Sequence, residues 1–521
     1  MNRNDTMRQI ASSEPWDVVV IGGGSTGLGA ALEAASRGYR TLLLEQEDFA
    51  KGTSSRSTKL VHGGVRYLQQ GNLTLVFEAL EERGRMLRNA PHLVHRQAFI
   101  IPAESMLGVP FYGIGLKIYD AMAGRGSFGR STILSAAETR RRLAGLPLPR
   151  IHGGVCYYDG QFDDARMAIT LAQTLFDQGG YALNEARVVR LLQHNCRIVG
   201  VAAVDGETGQ EFEVSARVVI NATGIFSDAI RSLDEPDATQ MLAISQGSHI
   251  VLPQTFLPGA DALMIPRTVD GRVLFAIPWH GSVIVGTTDE PVPGAAMEPR
   301  PLEVERAFLL DQIARYMGRR PHPEEILSTW AGQRPLVRKQ GTVRTAALSR
   351  EHTVMVSPHG LVTVLGGKWT TYRRMGEDTI DRAAQSANLP RRSSPTANLR
   401  LHGWTATPAG TSDPLGVYGA DRSSIESLMQ ERPDLAVPLH PQLPYRTAEI
   451  VWAARQEMAR SVEDALARRT RALFLNARAA MAAAPATAVL LATELGRGPE
   501  WIADQVAKFR ALAATYILES A

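Results

Sequence analysis

The chain has 521 residues with 44% hydrophobic content, enough for two or three cores rather than one. Its 56 Lys and Arg against 53 Asp and Glu leave a formal charge of +3 with the signs interspersed, so bulk electrostatics point to no nucleic-acid or other polyanionic partner. Cys156 and Cys196 are the two cysteines, without CxxC spacing or a His/Cys cluster; neither a disulfide framework nor a metal site is indicated, and a reducing compartment fits best.

Residues 1–14 are polar, lack an apolar signal core and read as a disordered leader. Residues 18–21 then form an apolar, β-branched run suited to a strand buried on both faces, followed at once by Gly22-x-Gly24-x-x-Gly27. This spacing permits a tight turn, lets a pyrophosphate approach bare N–H groups, and packs a helix over 28–36 against the strand. Gly38 ends that helix, and a second strand over 41–44 leads into Glu45, where a carboxylate can accept the hydroxyls of an adenosine ribose. Strand, turn, helix, strand and acid in register predict a dinucleotide site, for the AMP half of FAD or NAD rather than NADP.

A polar loop follows, DFAKGTSSRSTKLVHGGVRYLQQGN, whose Ser, Thr, Gly and basic residues suit an anionic ligand. Thr53, Ser54, Ser57, Lys59, His62, Gly63 and Gly64 are its cofactor-facing candidates. Residues 73–87 have helical periodicity with a charged outer face, and the chain then returns into a strand near 91–102. GVPFYGIGLKIYDAMAG, residues 108–124, is apolar and aromatic with a single Lys117; it suits a membrane interface or a buried wall. No stretch reaches the roughly 18 uninterrupted apolar residues of a membrane span.

A charged helix over 135–148 carries Arg140, Arg141 and Arg142. Next come a strand, a turn at Asp159-Gly160, and a helix whose first turn holds Asp163 and Asp164, acids that suit the helix dipole. Short strands are expected over 187–192, 198–205 and 211–214. A buried strand over 218–220 ends in Asn221-Ala222-Thr223-Gly224, where Ala222 and Gly224 let the chain pass close to a ligand at the carboxyl end of a sheet. Alternating patterns from 241 to 345 predict a mostly antiparallel sheet interrupted by a helix over 301–317. A strand, the pair Gly366-Gly367, Lys368 and a helix from about Trp369 supply another N–H cluster at a helix start. A Pro/Ser-rich linker over 391–419 leads to amphipathic helices over 420–521, read as a helical cap.

GGGSTGLG with Glu45, TSSRSTKLVHGGVRYL, YYDGQFDDAR, INATG, QGSHIVLP, FAIPW, IVGTTD, AGQRPL, LSREH and VLGGKWTTYRRM, in this order, resemble the FAD-dependent, quinone-linked glycerol-3-phosphate dehydrogenases from residue 17 to the C-terminus. The resemblance implies an α/β fold: a Rossmann-like FAD domain of the glutathione-reductase/D-amino-acid-oxidase type over 15–90, 150–240 and 350–390, a mostly antiparallel substrate domain over 91–149 and 241–349, and the helical C-terminal domain over 420–521. It implies oxidation of sn-glycerol 3-phosphate to dihydroxyacetone phosphate, with hydride passing from C2 to flavin N5 and electrons onward to a membrane quinone. Arg334 and Arg350 would hold the phosphate, where two guanidinium forks each bond two oxygens. Lys368 would sit near the flavin, a cation suited to the anionic reduced ring. His62, Arg66 and Tyr67 would line the flavin and substrate cavity, and His249 is the candidate base, with His62 or water as substitutes. Ile225 departs from the Pro that many relatives carry. No cysteine lies near the flavin motifs, so FAD is expected to be noncovalent.

Such a protein would sit in the cytoplasm at the inner face of the cytoplasmic membrane, bound peripherally; a homodimer is left open. Three alternatives stand beside this reading: an oxidase using O₂, an oxidoreductase for a 2-hydroxy acid or amino acid, and a non-catalytic FAD-binding sensor.

Overall fold

The computed structural model describes residues 1–12, 14–64, 73–126, 128–148, 151–268, 270–338, 352–408, 410 and 413–518. Its first layer grows from the apolar run at the start of the chain. Strand Trp16–Ile21 lies between Thr41–Leu44 on one side and Glu211–Asn221 on the other, both parallel to it, with Val20 opposite Leu43 and Ile220. Burial on both faces explains why these strands are continuous apolar runs rather than alternating ones. Val362–Leu365 and Tyr181–Leu183 extend the sheet in parallel, and Thr353–Val356 closes one edge antiparallel. Helices Ser25–Ser36, Asp164–Asp177 and Tyr372–Ser386 pack around this core, sharing one hydrophobic cluster with Val18, Val20 and Leu43.

Ten described strands form a second sheet, antiparallel except where Val94–Ala103 runs beside Ala262–Ile265. Its long members are Leu242–Pro253 and Ser328–Val337, paired from Leu242↔Val337 to Val251↔Ser328. Leu60–Val61 and Gly153–Phe162, expected in the cofactor unit, pair here instead. The second of these matches Val94–Ala103 along its whole length, which fixes its sheet. The C-terminal helices Thr447–Gln456, Ala477–Leu495 and Pro499–Ala514 bury Trp330, Ile284 and Val251 of this sheet in a shared core with Leu466 and Phe474.

Three local expectations are corrected. Residues 3–10 form a helix rather than a disordered segment. Asn2 caps it through Asp5 N–H, and Arg3 is buried against Asp205 and the Asn184 carbonyl, so the polar segment finds its partners on the protein. Asp159-Gly160 makes no turn; both lie inside strand Gly153–Phe162, where Asp159 is buried against Arg83 and Tyr119. The strands read over 211–214 and 218–220 are one strand, Glu211–Asn221. Asp163 caps helix Asp164–Asp177, its carboxylate accepting from the N–H groups of Ala165 and Arg166.

Candidate active site

At the carboxyl end of the first sheet the chain opens a cavity of about 500 Å³. Its first wall is the Gly22–Gly27 turn. Gly22 has φ +106, and a Cβ there would meet Ala222 O at 2.7 Å; a Cβ on Gly27 would meet Gly22 O at 1.9 Å. Strand, turn and helix can close this tightly only with bare backbone, which leaves the N-terminus of helix Ser25–Ser36 facing the cavity with its positive dipole end. The Ser25 N–H donates to Ser54 Oγ at 2.9 Å, tying the turn to the Thr53–Ser55 loop.

Glu45 closes the next corner. Its carboxylate accepts from Gly23 N–H at 2.6 Å and Glu47 N–H at 2.9 Å, while burial pushes its pKa up to about 7. The far wall comes from two distant stretches: Ala222 to Phe226, and Gly366 to Trp369, whose indole N–H donates to Ser54 O at 2.8 Å. Gly22, Gly24, Glu45, Thr53, Ser54, Ala222, Gly224, Gly366, Gly367 and Lys368 thus line one cavity, and Gly27 is not among its lining residues. Sequence reasoning missed Val188, Ile230, Leu233, Met297 and Pro335. Ile230 and Leu233 come from helix Ser227–Asp234, Val188 and Pro335 from strands and Met297 from a loop, all brought to the cavity by tertiary packing.

Other predicted residues lie elsewhere. Lys59 does not reach the cavity: its fully buried ammonium donates to Ser55 O and Asp164 Oδ2, each at 2.7 Å, and burial lowers its pKa to about 7. Ser57 joins the same cluster, its hydroxyl donating to Asp164 at 2.7 Å. His62, Gly63 and Gly64 stand outside the cavity wall, with His62 N–H on Thr370 Oγ1 and Gly63 N–H on Tyr119 OH. Arg66, Tyr67 and Arg350 lie outside the described residues.

Arg334 and His249 share one face of the second sheet, because Ser245↔Arg334 and His249↔Trp330 are register pairs two residues apart on each strand from Gly247↔Gly332. Arg334 donates from Nη2 to Thr287 Oγ1 (3.1 Å) and Thr288 O (3.2 Å), and faces Asp289 at 3.4 Å. Pro335, its chain neighbour, lines the cofactor cavity. His249 is 2% exposed, stacks on Trp330 at 4.1 Å, and its Nε2 shares a 3.0 Å hydrogen bond with Thr58 Oγ1. Burial first, then the Lys59 and Arg334 charges, hold its pKa well below the ordinary imidazole value, so the ring is neutral at pH 7.

The glycine cradle, the dipole end and the long cavity fit a two-nucleotide flavin and define an FAD-dependent oxidoreductase. The FAD dependent oxidoreductase family matches residues 17–373, and the C-terminal domain of alpha-glycerophosphate oxidase matches 364–501. A mitochondrial glycerol-3-phosphate dehydrogenase of Arabidopsis thaliana is 39% identical over 93% of this chain and 83% of its own length; that of Homo sapiens is 38% identical over 95% and 72%. The solved glycerol-3-phosphate dehydrogenase of Bacillus halodurans, complexed with FAD, superposes with a TM-score of 0.81 at 27% identity, covering 100% of this chain and 99% of that one. L-alpha-glycerophosphate oxidase from Mycoplasma pneumoniae shares the fold, with a TM-score of 0.56 at 16% identity over 74% of this chain and 98% of its own. The chain belongs to the FAD-dependent glycerol-3-phosphate dehydrogenase family, and FAD is its cofactor.

Proposed function

We propose that this enzyme oxidises sn-glycerol 3-phosphate to dihydroxyacetone phosphate and passes the electrons to a membrane quinone. The observation that carries the substrate is the placement of Arg334 and His249 on one sheet face, with Pro335, next to Arg334 in the chain, lining the cofactor cavity. Arg334 is already oriented by Thr287, Thr288 and Asp289, so its guanidinium meets a phosphate dianion without further ordering. Arg350 is the second phosphate ligand in this reading. FAD, when bound, supplies the hydride acceptor. His249, kept neutral by burial and its cationic neighbours, takes the hydroxyl proton, with Thr58 Oγ1 fixing the Nε2 edge of the ring. A phosphate on Arg334 offsets one of the charges that depress the His249 pKa, so substrate binding strengthens the base. Lys368 adds positive charge where the cavity wall turns into helix Tyr372–Ser386, a place that favours a bound anion.

The acceptor reading is supported by helix Gly108–Ala123. No described helix is long and apolar enough to cross a membrane. This one instead leaves Leu107, Phe111 and Ile114 between 64% and 82% exposed, with Ile118 and Ile133 beside them around a shallow apolar hollow. Such a patch suits peripheral docking on the cytoplasmic face of the membrane. Detergent rather than salt is then expected to release the enzyme from membranes. The alternative acceptor is O₂, which the oxidase name attached to the C-terminal family keeps in view. Purified enzyme given glycerol 3-phosphate and a soluble quinone in air distinguishes the two: quinone reduced with little peroxide is expected, and stoichiometric peroxide with the quinone untouched would overturn the quinone reading.

A further inference from the structure

The loop over 53–59 touches both halves of the site. At one end Ser54 Oγ accepts the Ser25 N–H and Ser54 O accepts the Trp369 indole N–H, both at the cofactor cavity. At the other end Thr58 Oγ1 meets His249 Nε2. Between them Ser55 O accepts from two buried cations: Lys59 Nζ at 2.7 Å and Arg471 Nη2 at 2.8 Å. Arg471 comes from the C-terminal helical region, more than four hundred positions along the chain, and is 1% exposed. Its Nη2 also donates to Asp164 Oδ1 at 3.2 Å, its Nη1 to Ala467 O at 2.7 Å, and its Cζ lies 4.3 Å from the Phe474 ring centroid.

An ion cluster this deep is a poor way to gain stability, because desolvating the charges offsets most of their attraction and apolar packing of the same volume commonly does as well. What charges supply and apolar groups do not is direction. Asp164 accepts from the Ser57 N–H and hydroxyl, from Lys59 and from Arg471, so every member of the cluster ends on the loop. A second tie runs parallel to it: Arg56 donates to Tyr516 OH at 2.9 Å and to Glu298 at 2.7 Å, and Glu298 follows Met297, a lining residue of the cavity.

We propose that Arg471 is a positioning residue: from the C-terminal region it fixes the Ser55 carbonyl and Asp164, and through them holds Ser54 on the cofactor wall and Thr58 against His249. The helical region is thereby part of the active-site frame and not a cap over it. The cofactor half of this inference stands on the cavity alone; the Thr58 half rests on His249 acting as the base.

Full-length Arg471→Gln and Arg471→Lys test it. FAD affinity is read by titrating the apoprotein with FAD and following flavin fluorescence; the flavin reduction rate and the substrate KM are read on FAD-loaded protein. Arg471→Gln is expected to weaken FAD binding at least tenfold and to slow flavin reduction at saturating substrate at least tenfold, with KM changed less than threefold. Arg471→Lys, which keeps one donor for Ser55 O, is expected to restore part of both. FAD affinity and reduction rate equal to the parent's in Arg471→Gln, even with a lowered melting temperature, would overturn the proposal. Should Arg471→Gln not fold, Ser57→Ala removes one hydroxyl from Asp164 and carries the test: FAD binding weakened about threefold supports the proposal, and unchanged binding and rate overturn it. A parent enzyme whose flavin glycerol 3-phosphate does not reduce would remove the substrate reading, while FAD affinity in the variants would still decide the role of Arg471.

Discussion

The cofactor cradle and the sheet face proposed to hold the base and the phosphate ligand are built from opposite materials. The cradle is backbone: bare glycines, a helix start and the small residues Ala222 and Gly224, with Glu45 as its one acidic corner. The face around His249 and Arg334 is side chain, and its geometry is set by partners far along the chain, such as Thr58 and Asp289. A backbone site therefore fails when atoms are added to it. A side-chain site fails when atoms are removed or charges moved, and the two kinds of failure separate FAD binding from catalysis.

The largest effect is expected from adding one methyl group to the cradle. The Cβ of Gly27→Ala would stand 1.9 Å from Gly22 O, so the turn must open and the purified variant is expected to carry no FAD. A yellow, fully loaded Gly27→Ala protein would break the distinction at once. On the other side, His249→Gln removes the proposed proton acceptor without adding volume. Flavin reduction by substrate is expected to slow by about 10²–10⁴-fold while FAD content stays at the parent level. An unchanged rate would take His249 out of the mechanism and direct attention to His62.

Arg334→Ala is expected to raise KM for glycerol 3-phosphate more than tenfold, equivalent to about 1.4 kcal/mol or more of lost binding, again without loss of flavin. Unchanged KM would mean that this guanidinium serves only Asp289, the Thr287 hydroxyl and the Thr288 carbonyl.

The smallest effect concerns Glu45, the acidic element of the cradle. Its folded pKa of about 7 lies above the ordinary 4.5, so the folded apoprotein binds the proton more tightly than the unfolded chain between those values. That contribution to stability is complete below pH 4.5 and is lost as pH rises through 7. Glu45→Gln is expected to flatten the apoprotein's unfolding free energy across this window, as measured by denaturant titration; a slope identical to the parent's would show that Glu45 titrates normally.

The same contrast decides what could be read in advance. Gly22, Gly24, Glu45, Ala222, Gly366 and Gly367 announce themselves because a turn, a strand end and a helix start are local, and their spacing is dictated by the backbone. The parallel strands over 16–21 and 41–44 were legible for the same reason: burial on both faces writes an unbroken apolar run. Lys59 shows where local reading ends. A lysine in a Ser/Thr loop next to a nucleotide site suits a phosphate, yet here Asp164 and the Ser55 carbonyl claim it, and Asp164 lies more than a hundred positions away. The N-terminal helix was hidden in the same way, since Arg3 has no apolar stripe to mark it and depends on Asp205 and Asn184. Val188 and Met297 carry no signal short of the fold itself, and Arg471 reads as one more arginine of an amphipathic helical region until Ser55 appears beneath it.

The most direct test of the central claim is anaerobic. Oxidised, FAD-loaded enzyme is mixed with sn-glycerol 3-phosphate, or with plain glycerol, and the flavin absorbance is followed. Rapid bleaching by the phosphate ester and none by glycerol is the result expected from the roles proposed for Arg334, in holding the phosphate, and for His249, in deprotonating the alcohol. A flavin that stays oxidised with glycerol 3-phosphate, or bleaches equally with glycerol, would contradict it.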